Sequence, residues 1–180
     1  MAEAPELNSE PLRLVPFAQR HFSDDYIGWL NDPVVVRYSE QRHRSHDRKS
    51  CETYVASFET SPHLLWAIEL ADGGAHIGNL SATIDVHNCI ADIGILIGAT
   101  GSQGLGYGGR AWACALDYLT SRSDLRKVTG GCLEANAAMV KIMQRCGMKE
   151  DGIRPSHYIV EDRVSSLLFF AKAGSWQPGS

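Results

Sequence analysis

The chain has 180 residues, of which 44% are hydrophobic and 21% are charged, and its formal net charge is −4. This length and composition are typical of one globular domain with a sizeable core. The acidic balance argues against a nucleic-acid-binding protein, whose surface is usually basic.

The first part of the chain predicts one strand and two helices after a polar segment. Residues 1–10 are polar, and we expect them to be flexible. Residues 12–17 alternate apolar and polar side chains, as a half-buried strand does. Residues 23–32 predict a helix that begins with a serine cap and ends before Pro33. Residues 46–62 predict a second, amphipathic helix.

The middle of the chain predicts three consecutive strands, a glycine-rich loop and a third helix. The strands, over residues 63–70, 75–86 and 89–98, are joined by short turns that favour antiparallel hairpins. The loop at 101–110 reads GSQGLGYGGR. A helix follows it to about Ser121, because apolar side chains recur there at helical spacing.

The last part predicts a strand, a helix and a closing hairpin. The strand covers residues 126–135, and the helix over 136–147 has an asparagine as its N-terminal cap and a glycine at its end. Residues 148–160 and 163–173 predict the two strands of the hairpin.

This order of elements predicts one α/β (α+β) domain over residues 11–174. We expect a mixed, mostly antiparallel central sheet of about seven strands flanked by about four helices. Residues 175–180 are then a C-terminal tail.

The glycine-rich loop follows a strand and opens a helix, where exposed backbone N–H groups and the positive end of the helix dipole bind anions. No lysine follows at the spacing that a P-loop requires. Gly104, Gly106 and Gly109 match the dinucleotide-binding spacing, but they follow a series of hairpins instead of an early βαβ unit. A plain flexible turn and a nucleotide-binding protein that uses this loop for ATP are therefore the alternatives.

Four separated segments resemble one known family. Gln103, Gly106 and Gly108 resemble the Arg/Gln-x-x-Gly-x-Gly/Ala signature of the GNAT superfamily of acyl-CoA-dependent N-acetyltransferases. The opening LRLVPFAQRHFSDDYIGWLNDPVVVRYSE resembles the branch that contains ribosomal-protein-alanine N-acetyltransferases. HIGN with ADIGILIG resembles its third and fourth strands, and LEANAAMVKIMQRCGMKEDGIR resembles its Asn-led helix, with Met148 in place of an aromatic residue. The segments occur in the right order, so the resemblance is specific and implies the GNAT fold.

The resemblance implies that acetyl-CoA is the cosubstrate. The loop amides hold the positions that bind the CoA pyrophosphate, and Arg110 can add a charged contact. The pantetheine arm pairs with the fourth strand in such proteins, and Asn136 matches an asparagine that contacts the arm, although it can also be a plain helix cap. The cofactor-binding positions implied are Ile95, Leu96, Ile97, Gln103, Gly104, Leu105, Gly106, Tyr107, Gly108, Gly109, Arg110 and Asn136.

Direct acetyl transfer requires a neutral acceptor amine. About one-tenth of an α-amine with a pKa near 8 is neutral at pH 7, against about one in 2,500 for a lysine side chain. An α-amine or an amino sugar therefore needs only a modest base, acting through water. By the resemblance, Asp92 holds the position of a glutamate in AELG-type members and is the predicted catalytic base; a carboxylate that only ties a turn is the alternative. Asp85 and Glu134 are the other candidates for the base.

The proton donor for the leaving thiolate is less evident. Many superfamily members have a tyrosine in the Asn-led helix, where this chain has Met143. Water or Tyr158 is then the expected donor, with Tyr158 as a candidate catalytic residue. The missing tyrosine also leaves open a CoA-binding or regulatory module without activity. None of the cysteines has an evident histidine partner, which disfavours an acyl-cysteine route.

The segment YSEQRHRSHDRK at 38–49 concentrates basic residues in an acidic chain. It is either a solvated face or a substrate-binding patch. In the second case Arg42, Arg44 or Arg48 meets a phosphate or carboxylate, such as the diphosphate of a nucleotide-sugar. His157 and Tyr158 are expected to line the same side. The expected acceptor is a small-molecule amine, especially an amino sugar, or a peptide N-terminus.

The remaining expectations concern metals, location and assembly. No metal site is predicted, because no Cys or Glu completes a ligand set with the two histidines of that segment. The five scattered cysteines favour reduced thiols, and no basic leader or long apolar run is present, so we expect a cytoplasmic protein without nucleic-acid or membrane partners. It is expected to be a monomer or a homodimer.

Overall fold

The computed structural model describes residues 4–177, and within them one sheet and four α-helices form. The strands are β1 (Leu7–Ser9), β2 (Leu12–Pro16), β3 (Leu64–Leu70), β4 (His76–Asp85), β5 (Ile90–Ile97), β6 (Lys127–Leu133), β7 (Lys149–Val160) and β8 (Arg163–Ala173). The helices are α1 (Asp24–Asn31), α2 (Arg48–Glu59), α3 (Tyr107–Ser121) and α4 (Ala137–Arg145). Short 3-10 turns lie at Gln19–His21, Glu40–His43 and Thr100–Ser102.

The strand order is β1-β2-β3-β4-β5-β6-β8-β7, and only β5 and β6 pair in parallel. This confirms the predicted mixed, mostly antiparallel sheet with four helices. The additional strand, β1, lies within the segment expected to be flexible, and Leu7 pairs with Leu14 of β2. Residues 1–3 of that segment and 178–180 of the expected tail lie outside the described residues.

Side-chain caps determine where three of the helices begin. Ser23 accepts a hydrogen bond from the backbone N of Tyr26 at 3.1 Å, ahead of α1. Asp47 caps α2, which therefore starts two residues later than predicted. Asn136 caps α4 as predicted, accepting from the backbone N of Met139 at 3.2 Å. Each cap satisfies a backbone N–H that has no partner inside its helix.

Side chains alternate between the two faces of the sheet. On one face α3 and α4 cover the main core, whose fully buried members include Trp66, Leu80 and Trp112. On the other face lie α1 and α2, and here the ring of Trp29 sits against Gly98 so closely that a Cβ at that glycine would overlap it. This contact fixes α1 over the end of β5. None of the described helices is long and apolar enough to cross a membrane.

Candidate active site

The parallel pair β5 and β6 separates partway along the sheet. The two strands pair from Ile90 to Asp92 of β5, and beyond Asp92 β5 pairs only with β4 while β6 pairs only with β8. A strand has hydrogen-bonding groups on both edges, so the later part of β5 presents unpaired backbone N–H and C=O groups to an open gap. The predicted contact residues Ile95 to Ile97 lie on this segment.

The glycine-rich loop continues directly from the end of β5. The side-chain amide of Gln103 donates to the carbonyl oxygen of Ile97 at 3.0 Å and ties the loop to the strand. Gly106 stands before the first turn of α3 with a φ of +84°, a left-handed conformation that favours glycine. One guanidinium nitrogen of Arg110 donates to the carbonyl oxygen of Glu10 at 3.2 Å.

The loop presents backbone donors without protein acceptors. The first N–H of α3 with a partner is that of Arg110, which bonds to the carbonyl of Gly106 at 3.2 Å. Within residues 4–177, no protein group accepts from the backbone N–H groups of Gly104, Leu105, Gly106, Tyr107, Gly108 and Gly109. Clustered free amides at the N-terminus of a 15-residue helix suit the pyrophosphate that the sequence predicts here.

Asp92 lies at the point where the two strands separate. Its carboxylate is exposed to solvent and accepts a hydrogen bond from the hydroxyl of Thr129 at 2.6 Å. Thr129 is its partner in the last parallel pair before the gap. Asp92 also lies on the same face of β5 as Gly94, one side-chain repeat away, because residues two apart share a face.

A cavity of about 530 Å³ lies between this face of the sheet and the helices α1 and α2. Its floor comes from β4 and β5, and its rim comes from the segment between α1 and α2. The lining residues include Tyr26, Ser39, Gln41, Arg44, Ser45, His46, Ser50, Cys51, Tyr54, Asn79, Ser81, Gly94, Ile95 and Leu96. The cavity therefore reaches the strand segment that borders the gap.

The predicted substrate-binding residues separate into two groups. Arg44 lines the cavity, whereas Arg42 does not. The guanidinium of Arg42 pairs with Glu40 at 2.8 Å and donates to the carbonyl oxygens of Ser39 and Ile159. Arg42 therefore connects the rim to β7.

His157 and Tyr158 lie on β7, near the turn of the closing hairpin. Their rings contact each other with centroids 4.8 Å apart, and Tyr158 is half-buried. The side chains that line the cavity include neither of them, nor Asp92.

Two polar residues of the rim, Gln41 and His46, were not predicted to bind a substrate. Oε1 of Gln41 and Nε2 of His46 are buried and have no hydrogen-bond partner in the described chain. His46 is held in place by Asn31, whose side chain bonds both the backbone N–H and the carbonyl of His46 at 2.8 Å. The sequence signal for this segment was its basic composition, which indicated the arginines and gave no separate sign of Gln41 or His46.

The phenols and the thiol of the cavity wall are protonated at neutral pH, and burial shifts their pKa values further upward. It raises the pKa of the Tyr26 phenol, and it raises the pKa of Tyr54 despite an opposing hydrogen bond with Ser81. Burial also raises the pKa of the Cys51 thiol. At neutral pH these groups are hydrogen-bond donors, and Cys51 is a poor nucleophile because a thiolate is required for attack.

An ionic cluster is centred on the buried carboxylate of Glu69 and includes two partly exposed arginines. This carboxylate accepts from Arg13 at 2.9 Å, from Arg20 at 3.0 Å and from Nε2 of His21 at 2.9 Å. Burial alone would raise the pKa of Glu69, but these hydrogen bonds outweigh it and lower that pKa to about 2. Nδ1 of His21 accepts from the backbone N of Ala18 at 2.8 Å, so this histidine is neutral.

The cluster reaches the cavity through His76. Its ring lies 4.9 Å from that of His21, and its Nε2 is 3.0 Å from Oδ1 of Asn79, which lines the cavity. Nε2 is also 3.0 Å from the carbonyl oxygen of Gly78, so it carries the proton and donates to both oxygens. Asn79 therefore has its amide nitrogen left for a ligand.

Comparison with known proteins gives one family. The family model described as the acetyltransferase (GNAT) domain matches residues 12–149. A search of curated protein sequences finds no significant match.

Solved acetyltransferase structures share the fold. A spermidine N-acetyltransferase from Vibrio cholerae, in complex with CoA and spermine, has a TM-score of 0.80 at 19% identity, covering 92% of this chain and 96% of its own. RimL, a ribosomal L7/L12 alpha-N-protein acetyltransferase in complex with CoA, has a TM-score of 0.78 at 14% identity, covering 95% and 99%. The microcin self-immunity acetyltransferase MccE, in complex with acetyl-CoA and AMP, has a TM-score of 0.76 at 15% identity, covering 91% and 93%.

Proposed function

The chain belongs to the GNAT acetyltransferases, and we propose that it binds acetyl-CoA along the β5–β6 gap and transfers the acetyl group to a primary amine. One observation carries the proposal: the gap leads at one end into a loop of free backbone amides and borders a cavity beside Gly94. The loop suits the pyrophosphate, the gap suits an extended arm, and the cavity suits an acceptor.

The donor is held mainly by backbone groups. The amides of 104–109 bind the pyrophosphate, and Arg110 adds positive charge beside its bond to Glu10. The free edge of β5 from Ile95 to Ile97 pairs with the pantetheine arm, and the side-chain nitrogen of Asn136 contacts it while Oδ1 caps α4. Acetyl-CoA supplies the activated acyl group for this chemistry.

Side chains, backbone groups and water then carry out the proton transfers and stabilise the developing charge. Asp92 removes a proton from the acceptor amine through water, and Thr129 keeps its carboxylate at the mouth of the gap. Backbone N–H groups of β5 stabilise the oxyanion that develops at the acyl carbon. Water or Tyr158 returns a proton to the leaving thiolate. Direct attack is favoured over an acyl-cysteine, since burial raises the pKa of Cys51 and keeps it a thiol.

The acceptor is a small-molecule amine, an amino sugar among them, or a peptide N-terminus. Similar structures acetylate different amines, namely spermidine and a ribosomal protein, so the shared fold alone does not select the acceptor. The alternative is a CoA-binding module without turnover, because Met143 is buried where other members have a tyrosine.

Calorimetry and a thiol-release assay test the proposal together. We expect acetyl-CoA to bind and ATP not to bind, and CoA to be released when an accepted amine is added. ATP binding without acetyl-CoA binding would refute the proposed donor. Acetyl-CoA binding without turnover on a broad amine panel and a metabolite extract would support the inactive module.

Asp92→Asn tests the base. We expect kcat to fall by about 100-fold or more and its pH dependence to change, with unchanged acetyl-CoA affinity. Asp72→Asn, at an exposed position in the turn after β3, is the matched control. An Asp92→Asn enzyme with the wild-type kcat and pH profile would assign Asp92 a structural role only.

A further inference from the structure

The acceptor cavity has a one-sided charge pattern. Its lining includes the guanidinium of Arg44 and the imidazole of His46, but no Asp or Glu among the described residues that line it. A polyamine would bring several ammonium groups, and each buried charge requires a partner of opposite sign. The lining therefore disfavours a polycationic acceptor.

Arg44 differs from Arg42 and Arg48 in having a guanidinium without an ion-pair partner among the described residues. Arg42 pairs with Glu40 at 2.8 Å, and Arg48 lies 3.5 Å from Asp24. Arg44 has no ion-pair partner in the described part of the chain, although it borders the cavity. An unpaired guanidinium beside a cavity suits a planar or tetrahedral anionic oxygen group.

Three further polar groups belong to residues that line the cavity. Buried Oε1 of Gln41 needs a donor, and buried Nε2 of His46 has no partner in the described chain. The amide nitrogen of Asn79 is left free, since His76 donates to Oδ1 of that residue at 3.0 Å. A buried polar atom without a partner is unfavourable, so a ligand that supplies the missing hydrogen bonds gains affinity.

We propose that the acceptor is a small amine that also carries a carboxylate or a phosphate, and that Arg44 and His46 bind this anionic group. Oε1 of Gln41 accepts from a hydroxyl or N–H of the same molecule, and Asn79 donates to one of its oxygens. A cavity of about 530 Å³ has the size of small-ligand sites. The bond from Arg42 to Ile159 ties the β7–β8 hairpin to the same rim.

This inference rests on the proposed function, because the amine must reach the thioester beside Gly94. The neutral amine nitrogen forms a bond to the acyl carbon, and the carbon–sulfur bond breaks. The amine loses one proton, the sulfur gains one, and the products are an N-acetylated anion and CoA. No oxidant or reductant is required.

The first test identifies products without assuming a substrate. The full-length protein is incubated with isotope-labelled acetyl-CoA and a cell extract divided into small-molecule and protein fractions, and products are identified by mass spectrometry. We expect the main products to be N-acetylated small molecules that carry a carboxylate or a phosphate. Acetylated polyamines, neutral amines or protein N-termini as main products would overturn the inference and leave the acetyltransferase proposal intact. No product from either fraction would contradict both.

The second test uses matched acceptors and variants. Glucosamine, glucosamine 6-phosphate and muramic acid share an amino sugar but carry no anion, a phosphate and a carboxylate respectively, and spermidine supplies the polycation. We expect kcat/KM to be higher for one of the two anionic sugars than for glucosamine. The identity of the preferred sugar then shows whether the site binds a phosphate or a carboxylate. Equal or higher values for glucosamine or spermidine would count against the inference. If all four are inert, the unacetylated amines that correspond to the products from the extract serve as acceptors.

Arg44→Ala should then lower kcat/KM for the anionic acceptor by about 10- to 100-fold, mostly through KM, with little change for a neutral one. Arg44→Lys should recover part of the loss because it restores the charge without the guanidinium geometry. Arg145→Ala, at an exposed arginine at the end of α4, is the matched control. An equal loss for anionic and neutral acceptors, or no loss, would overturn the role of Arg44.

Discussion

Gly106 illustrates how one residue prepares the loop for a ligand. Its φ of +84° turns the chain into α3, and a Cβ there would meet no atom within 4 Å. The position is therefore open space beside free amides, where a side chain would face the ligand. A substitution there affects two quantities: the left-handed backbone affects the stability of the fold, and the open position affects ligand binding.

Gly106→Ala should weaken acetyl-CoA binding by about tenfold or more and lower the free energy of unfolding by about 1 kcal/mol. The stability loss comes from the left-handed backbone, and the affinity loss comes from the methyl group next to the amides. Calorimetry and chemical denaturation measure the two effects. Gly73→Ala is a matched control, since Gly73 has a φ of +75° and equally open surroundings but lies in the turn after β3. Equal acetyl-CoA affinities for the two variants would contradict the proposed loop function.

The residues of the acceptor site were only partly predictable from the sequence. The basic composition of the rim segment predicts a substrate-binding patch, but it does not distinguish Arg42 from Arg44. The difference between them depends on an ion pair with Glu40 and on a contact with Ile159, which is 117 residues away. Such long-range contacts leave no local pattern. By contrast, the cap at Asn136 follows a local rule and was predictable.

At the scale of elements, α4 connects helix stability with the proposed donor site. Asn136 uses Oδ1 to accept from Met139 at the start of this helix, so its side-chain nitrogen remains for another partner. An aspartate keeps the acceptor oxygen, and its negative charge is favourable at a helix N-terminus. It removes only the amide nitrogen.

Asn136→Asp should therefore keep the wild-type melting temperature while lowering acetyl-CoA affinity by about fivefold or more, as expected when a hydrogen-bond donor is lost. Asn136→Ala should lose about 1 kcal/mol of stability as well, because the cap is removed. Differential scanning calorimetry and binding titrations separate the two roles. Wild-type acetyl-CoA affinity in Asn136→Asp would leave Asn136 as a helix cap only.

Element order was predictable because each helix and strand has its own period and termination signals. The exception is β1, which has three residues and is too short for alternation to be recognised. It forms because Leu7 and Ser9 find partners in β2, and the polar residues around it gave no sign of this pairing. The separation of β5 from β6 is likewise a property of two strands together, and here the family resemblance supplied what periodicity could not.

At the scale of the whole molecule, three titratable groups, the buried Glu69 and His21 and the partly buried His76, make stability depend on pH in one direction. Glu69 has a pKa of about 2 against an ordinary 4.5, so its stabilising contribution is present above about pH 5 and is lost as the pH falls towards 2. Burial lowers the pKa of His21 and of His76 below 6.5, so both imidazoles favour the neutral form in the folded protein. The free energy of unfolding therefore decreases as the pH falls below that value. All three act in the same sense, because the unfolded chain binds more protons.

We expect the free energy of unfolding to fall on acidification, first below about pH 6.5 and again below about pH 4.5, with Glu69 contributing about 3 kcal/mol over the second range. Glu69→Gln should lower stability at pH 7 and flatten the second range. Urea denaturation at steps between pH 3 and 8 measures this dependence. Glu59→Gln, at an exposed position at the end of α2, should behave as wild type. A Glu69→Gln profile as steep as that of the wild type would contradict the assignment.

The gap between β5 and β6 has a consequence for the protein without its donor. Sheet proteins normally confine unpaired strand edges to their margins, where charges or short strands protect them from pairing with other chains. Here an edge occurs in the interior of an eight-stranded sheet, next to strands that are otherwise fully paired. A donor that pairs with it works as a missing strand, a form of β-augmentation. If acetyl-CoA binds in the gap as we propose, the protein without its donor exposes a strand edge that the bound donor covers.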